Sequence, residues 1–224
     1  MNTQFKISNK DCFIFSNIFQ DKMYAVLTKK SDKRSFNLDN LAISKKIANP
    51  IQVHSDKVKL ISKPGIYQNV DGLITMNKDI ILTLKVADCI PIFLANKDGN
   101  VFGLIHAGWK GVAQRIIINA LNIFINEGVS YNDIIVFLGP SINECCFEVG
   151  KDVADKFSNK FVITKGNRLY VDLKKNVYTD LLSFGIPKLN INISNVCTYE
   201  SNECLSFRRD KTKKRMNAFF GYNK

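Results

Sequence analysis

The chain has 224 residues, 46% of them hydrophobic, and a mean hydropathy near zero, which fits a globular domain with a sizeable core. No apolar run approaches the roughly 18 residues needed to span a bilayer. A net charge of +12 raises nucleic-acid binding, but lysine is spread along the whole sequence and the basic residues cluster only at Arg208–Arg215.

In chain order, the apolar stretch Cys12–Phe19 is bracketed by Asp11 and Asp21 and has no small-residue cleavage site behind it. It does not read as a signal peptide, and a cytoplasmic protein is expected. Met23–Thr28 reads as a strand, and Asp71–Thr75 and Ile80–Val86 as short strands around Asn77-Lys-Asp79. Ile90–Ala95 and Val101–His106 flank Asn96–Asn100, whose Asp-Gly pair marks a hairpin. Pro91 belongs at the start of its strand or where no ladder donor is needed. Between Val112 and Asn126 the apolar spacing turns helical, with Ile116, Ala120, Ile123 and Phe124 on one face and Gly128 as the stop. Ile134–Leu138 is a buried strand ending at Gly139-Pro140, Lys151–Phe157 a short helix and Leu169–Val171 a strand. Asp172 caps a helix from Leu173 to Phe184, closed by Gly185 and Pro187. No repeat or Pro/Gly-rich linker divides the chain, so residues 1–224 are expected to form one domain. The interleaved elements predict an α+β fold, a layered α/β/α-type sandwich with mixed sheets. No Gly-rich loop follows a strand, so neither a dinucleotide-binding nor a P-loop site is supported.

The sequence contains two histidines, His54 and His106, each closing a strand-like apolar run (Ile51–Val53 and Leu104-Ile105). A histidine at a strand end points into a cleft at the sheet edge. Cys89 lies in the turn Val86–Ile90 between two strong strands, next to Asp88, an acid whose burial would demand a partner. Two imidazoles and a thiolate suit a tetrahedral Zn²⁺ with an open fourth position. Their spacing of 35 and then 17 residues lacks the short loop of a zinc finger and favours a catalytic site. The same residues also allow a metal-free Cys89–His106 nucleophile pair, or histidines satisfied inside a core. The other five cysteines (Cys12, Cys145, Cys146, Cys197 and Cys204) read as small packing residues, because a chain this long is not a disulfide scaffold. His106-Ala-Gly-Trp-Lys-Gly111 offers small residues for close backbone approach and the start of a helix whose free amides suit an anion. Trp109 is a stacking surface or a core anchor.

Five stretches carry a resemblance: Gln52-Val-His54, Val86-Ala-Asp-Cys-Ile-Pro91, His106-Ala-Gly-Trp-Lys-Gly111, Leu138–Ile142 with Cys145–Gly150, and Cys197-Thr198 with Ser206–Asp210. Together with Ser35–Leu38 they resemble the YfiH-type family, also called the multicopper polyphenol oxidoreductase or laccase-domain family. The likeness runs from Tyr24 to the C-terminus. Ser55, Lys110 and Phe147 stand where glycine, arginine and tyrosine are usual, and the Lys213-Lys214 pair replaces a Thr-Gly; none is a ligand.

The resemblance implies His54, Cys89 and His106 as metal ligands, and a layered architecture similar also to a class of cysteine hydrolases. It further implies purine nucleoside phosphorolysis (adenosine, inosine, methylthioadenosine) with adenosine deamination as a second activity. On that reading zinc is the cofactor, with copper as its alternative; Cys89, His106 and Asp88 are catalytic. Lys110, Arg208 and Arg209 steady phosphate, while Asp88 orients a ligand histidine or handles a purine proton. Purine nucleoside and phosphate are the expected partners of a monomer or homodimer, with no membrane and no specific nucleic acid. Hydrolysis of a peptidoglycan precursor at the same site is the runner-up, and a basic nucleic-acid-binding module is the rival outside enzymes. Multicopper chemistry lacks imidazole donors beyond the two histidines.

Overall fold

The computed structural model describes residues 10–30 and 46–222; Ser35–Leu38 lies outside the described residues. The first strands are β1 (Cys12–Ile14), β2 (Met23–Thr28), β3 (Ile47–Pro50), β4 (Val58–Ile61), β5 (Gly65–Tyr67) and β6 (Gly72–Thr75). Next come β7 (Ile81–Val86), β8 (Ile90–Asn96), β9 (Phe102–Ala107) and β10 (Ile134–Leu138). The last are β11 (Glu148–Val149), β12 (Val162–Lys165), β13 (Arg168–Val171), β14 (Ile191–Ile193) and β15 (Met216–Tyr222). The helices are α1 (Trp109–Ala113), α2 (Ile116–Asn126), α3 (Lys151–Ala154), α4 (Leu173–Phe184) and α5 (Phe207–Asp210).

Two six-stranded mixed sheets face each other, in the orders β1-β2-β15-β7-β3-β5 and β14-β10-β8-β9-β6-β4, and β11-β13-β12 forms a third, small sheet. The period-two alternation of strands explains the layering. Along β8, Phe93 and Ala95 enter a core shared with the first sheet, whose Leu82, Leu84, Met216 and Phe220 are fully buried. Ile90, Ile92 and Leu94 point the other way, into a core closed by Ile117, Leu121 and Phe124 of α2 and by Val177 and Leu181 of α4. The second sheet is thus covered on both faces, which is why β8 and β10 read as unbroken apolar runs. This is an α+β protein with mixed sheets, its layers running sheet, sheet, helices.

Three details move away from the sequence expectations. The helix drawn from Val112 to Asn126 is two helices, because Arg115 takes a left-handed conformation (φ 59); the turn lets both Val112 and Ile116 reach the core. The strand run ending at His54 stops earlier, at Pro50, so His54 sits in a loop, not at a strand end. The stretch after the basic cluster, to which the sequence reading assigned no element, is a central strand, since β15 pairs with both β2 and β7. No described helix is long and apolar enough to cross a membrane.

Candidate metal centre

His106 is placed first, by the β8–β9 hairpin, where it lies opposite Pro91 and is only 3% exposed. Cys89 comes from the turn that carries the chain from β7 in one sheet to β8 in the other. That crossing is tight enough to force Asp88 to a φ of 87, where an L residue is strained. His54 completes the group from an exposed loop, also at positive φ (60). The ligand atoms of His54, Cys89 and His106 all lie within 4.8 Å of one another, and the two imidazoles meet edge to face, 4.8 Å between ring centres.

One buried carboxylate organises this arrangement. Asp71, fully buried, accepts from His106 Nδ1 at 2.8 Å. It also accepts the backbone N–H groups of Val53, His54 and Ser55 at 3.2, 3.0 and 2.7 Å and the Ser55 hydroxyl at 2.8 Å. It therefore pins the His54 loop to the strand bearing His106 and fixes the imidazole so that Nε2 faces the cluster. A carboxylate behind a ligand histidine is the usual support of a metal site. Asp71 escaped the sequence reading because it looked like the first residue of an apolar strand. Its signal was an acid opening the run Asp71–Thr75, a position that burial makes expensive unless donors converge on it.

The electrostatics follow from burial and proximity. Desolvation opposes ionisation of Cys89, yet the charge and hydrogen bonds of His106 and His54 pull its thiol down to about 6. Desolvation likewise opposes protonation of His106, but Cys89 and Asp71 push it up to about 9. Burial works against the Asp71 anion too, and the bonds from His106 and Ser55 hold it down to about 2. A cation could replace the imidazolium proton in this set. Gly108 leaves room for one: a Cβ there would meet His54 Cδ2 at 2.9 Å and Cys89 Sγ at 3.2 Å. Two imidazoles, one thiolate and a side-chain-free backbone beside them fit a three-ligand cation site with an open position.

The cluster lies at the wall of a cavity of about 630 Å³, within the range of small-molecule sites. Trp109, Phe147, Phe207 and Ile142 give it apolar faces, and Lys85, Arg208 and Arg215 make it basic. Arg208 is aimed from α5: its backbone N–H donates to Asp88 Oδ2 at 2.7 Å, and its guanidinium donates to Glu148 O while resting 5.3 Å from the centre of the Phe147 ring. Asp88 lines the cavity, but its other oxygen accepts from Thr198 Oγ1 at 2.7 Å, and the acid hydrogen-bonded to His106 is Asp71. Arg209 points away, donating to the carbonyls of Thr198, Tyr199, Ser201 and Cys204 and to Asp210. Lys110 is exposed, with its ammonium 5.6 Å from the centre of the Trp109 ring. Of the three cations expected to hold phosphate, then, Arg208 faces the cavity, whereas Lys85 and Arg215, which the sequence did not single out, join it.

Residues 19–222 match the family model described as multi-copper polyphenol oxidoreductase laccase. Over 172 residues, 76% of this chain, it is 38% identical to a purine nucleoside phosphorylase of Aquifex aeolicus, 80% of which is covered. A purine nucleoside phosphorylase of Borreliella burgdorferi is 33% identical, over 86% of each chain. Among solved structures, YlmD from Geobacillus stearothermophilus superposes with a TM-score of 0.88 at 25% identity, covering 98% of this chain and 99% of that one. The Bacillus licheniformis protein YfiH gives 0.86 at 25% identity, over 99% of this chain and 100% of the other.

Proposed function

This chain belongs to the multi-copper polyphenol oxidoreductase laccase family, and from that membership we propose that it is a zinc-dependent purine nucleoside phosphorylase with adenosine deamination as a second activity. The observation that carries the reading is the union, in one cavity, of the His54–Cys89–His106 group with aromatic faces and three basic side chains. The two relatives named above, called purine nucleoside phosphorylases, support it. A bound cation would supply a Lewis acid to an oxygen of phosphate or of water.

The chain's own residues divide the remaining work. Trp109, Phe147 and Phe207 offer stacking surfaces for a purine. Arg208 holds the phosphate: Glu148 O engages part of its guanidinium, and a guanidinium carries five N–H donors in a planar fork. Lys85 and Arg215 add charge at the same wall. Asp88 serves as the tie that sets Arg208, through the backbone bond at 2.7 Å, and lies within the cavity lining to meet a purine proton. Arg209 and Lys110 take no part in this scheme.

A second reading also has its observation. Cys89 drawn down to about 6 beside a protonated His106 is the charge pattern of a nucleophilic Cys–His pair, as a hydrolase acting on a peptidoglycan precursor would use. One experiment separates the two. Purified protein is given inosine or adenosine with and without phosphate, before and after chelation. Phosphorolysis yields free base and ribose-1-phosphate only when phosphate and metal are both present. Phosphate-independent turnover that survives chelation and dies on alkylation overturns it. Arg208→Ala is expected to raise the phosphate KM, at a cost of about 1.5–3 kcal/mol for a hydrogen bond to a charged group.

A further inference from the structure

Three of the cysteines that read as packing residues come together elsewhere. Cys145 and Cys146 lie on the loop after β10, and Cys197 on the loop after β14, joined by a parallel bridge between Ser141 and Cys197. With Glu200 their ligand atoms all lie within 4.8 Å of one another. The Cys145 and Cys197 sulfurs are 3.9 Å apart. A zinc–thiolate tetrahedron with Zn–S bonds of about 2.3 Å has edges of about 3.8 Å. The Cys145 and Cys146 sulfurs, at 2.7 Å, are closer than that edge and would open by about 1 Å on coordination.

Two further features are those of a thiolate site. The backbone N–H of Asn143 donates to Cys197 Sγ at 3.4 Å, which makes this sulfur an acceptor. Beside it lies Lys174, a lysine only 8% exposed. Its Nζ donates to Asn143 Oδ1 at 2.7 Å and to the carbonyls of Ser194 and Val196 at 2.8 and 3.5 Å, all neutral acceptors. Its hydrogen bonds are all to neutral oxygens, so the charge of this buried ammonium is balanced at longer range, by the sulfurs of Cys197 and Cys145 together with Glu144 and Asp172. Three thiolates and the Glu200 carboxylate around Zn²⁺ carry two net negative charges, one of which Lys174 offsets.

We propose that Cys145, Cys146, Cys197 and Glu200 bind a second zinc ion, a structural one, separate from the cavity site. Binding exchanges three S–H protons, released to solvent, for three Zn–S bonds. The exposed Glu200 carboxylate fills the fourth position. The ion clamps the loop that supplies Ile142 and Phe147 to the cavity wall, and so sets the ring on which the Arg208 guanidinium rests.

The test uses zinc alone, added to reduced, full-length protein, with bound metal counted after gel filtration. Wild type is expected to hold two ions, Cys89→Ser and Cys146→Ser one each, and the double variant none. Cobalt loaded into Cys89→Ser reads the site with its thiols intact, so the result does not depend on whether a cluster variant folds. A thiolate-to-cobalt charge-transfer band is expected there, falling by about a third on adding Cys145→Ser, as one of three sulfurs is lost. If wild type holds one ion and Cys89→Ser none, this proposal falls and the cavity site stands. If Cys89→Ser keeps every ion wild type holds, and that number falls with Cys146→Ser, the cavity site falls and this one stands. Isolation of a Cys145–Cys146 disulfide whose reduction restores no zinc uptake also overturns it.

Discussion

His54, Cys89 and His106 converge from a loop, an inter-sheet turn and a strand onto the wall of an open cavity. Cys145, Cys146, Cys197 and Glu200 come from two loops stitched to each other. The first group is oriented by an anion, Asp71, and contains two neutral-capable imidazoles. The second is accompanied by a cation, Lys174, and contains only acidic donors. The difference matches the two tasks proposed for them. A site with imidazoles and an orienting carboxylate has charge to spare and room for a substrate. A site with three thiolates is already saturated with negative charge, needs a counter-cation, and is suited to holding structure together.

The largest expected effect breaks the first group at its hub. Asp71→Ala removes the acceptor of His106 Nδ1 and of three backbone N–H groups in the His54 loop. Stripping one partner from a buried charged network costs about 3–5 kcal/mol. Chemical denaturation should show that loss, and metal analysis should show the cavity ion gone while zinc bound to the thiol cluster persists. Loss of both ions together at native-like stability would mean that the two sites are not independent.

A smaller change tests the space beside the ligands. Gly108→Ala places a methyl 2.9 Å from His54 Cδ2 and 3.2 Å from Cys89 Sγ, closer than either can accept unmoved. His54 is exposed and can swing away, so the fold should survive. The cavity ion should bind about 10- to 100-fold more weakly, the range for a perturbed ligand environment. Competition against a chromophoric chelator measures it. Unchanged affinity would show that His54 is dispensable as a ligand.

Much of the first group was legible in the sequence, because its residue types are rare. With two histidines in 224 residues, a cysteine between two strong strands stands out. The β8–β9 hairpin and α4 announced themselves through Asp-Gly and through the Asp172 cap, whose side chain accepts from Lys175 N at 2.9 Å. Asp71 did not, since a hub that receives bonds from residues 53–55 and 106 leaves no local spacing. Cys197 lies 51 residues beyond Cys146, and only the pairing of β14 alongside β10 brings them together. The basic cluster misled in detail for a similar reason. Adjacent arginines on the four-residue helix α5 point in different directions, Arg208 into the cavity and Arg209 into a cage of carbonyls.

The finest distinction between the two groups lies in their protons. In metal-free protein Cys89 sits near 6 because, against its burial, His106 and His54 stabilise the thiolate. Burial pushes the Cys145 and Cys146 thiols up, and so does the neighbouring Cys197. Alkylation follows the thiolate, so the Cys89 rate should rise to about pH 6 and then level off, while the rates of Cys145 and Cys146 should keep climbing past pH 9. The difference in absolute rate at neutral pH should be smaller than the thiolate fractions alone would give, because a thiolate made stable by its neighbours is also a weaker nucleophile, with a Brønsted slope of about 0.4–0.5. The shape of the profile is therefore the measurement to make, by mass spectrometry of peptides labelled across a pH series after chelation. His106→Gln should move the Cys89 plateau upward, as the thiolate loses its strongest partner and its burial remains. A Cys89 profile that keeps climbing past pH 9 in wild type would show that the thiolate–imidazolium pair does not form without metal, and the nucleophilic reading of the site would lose its footing.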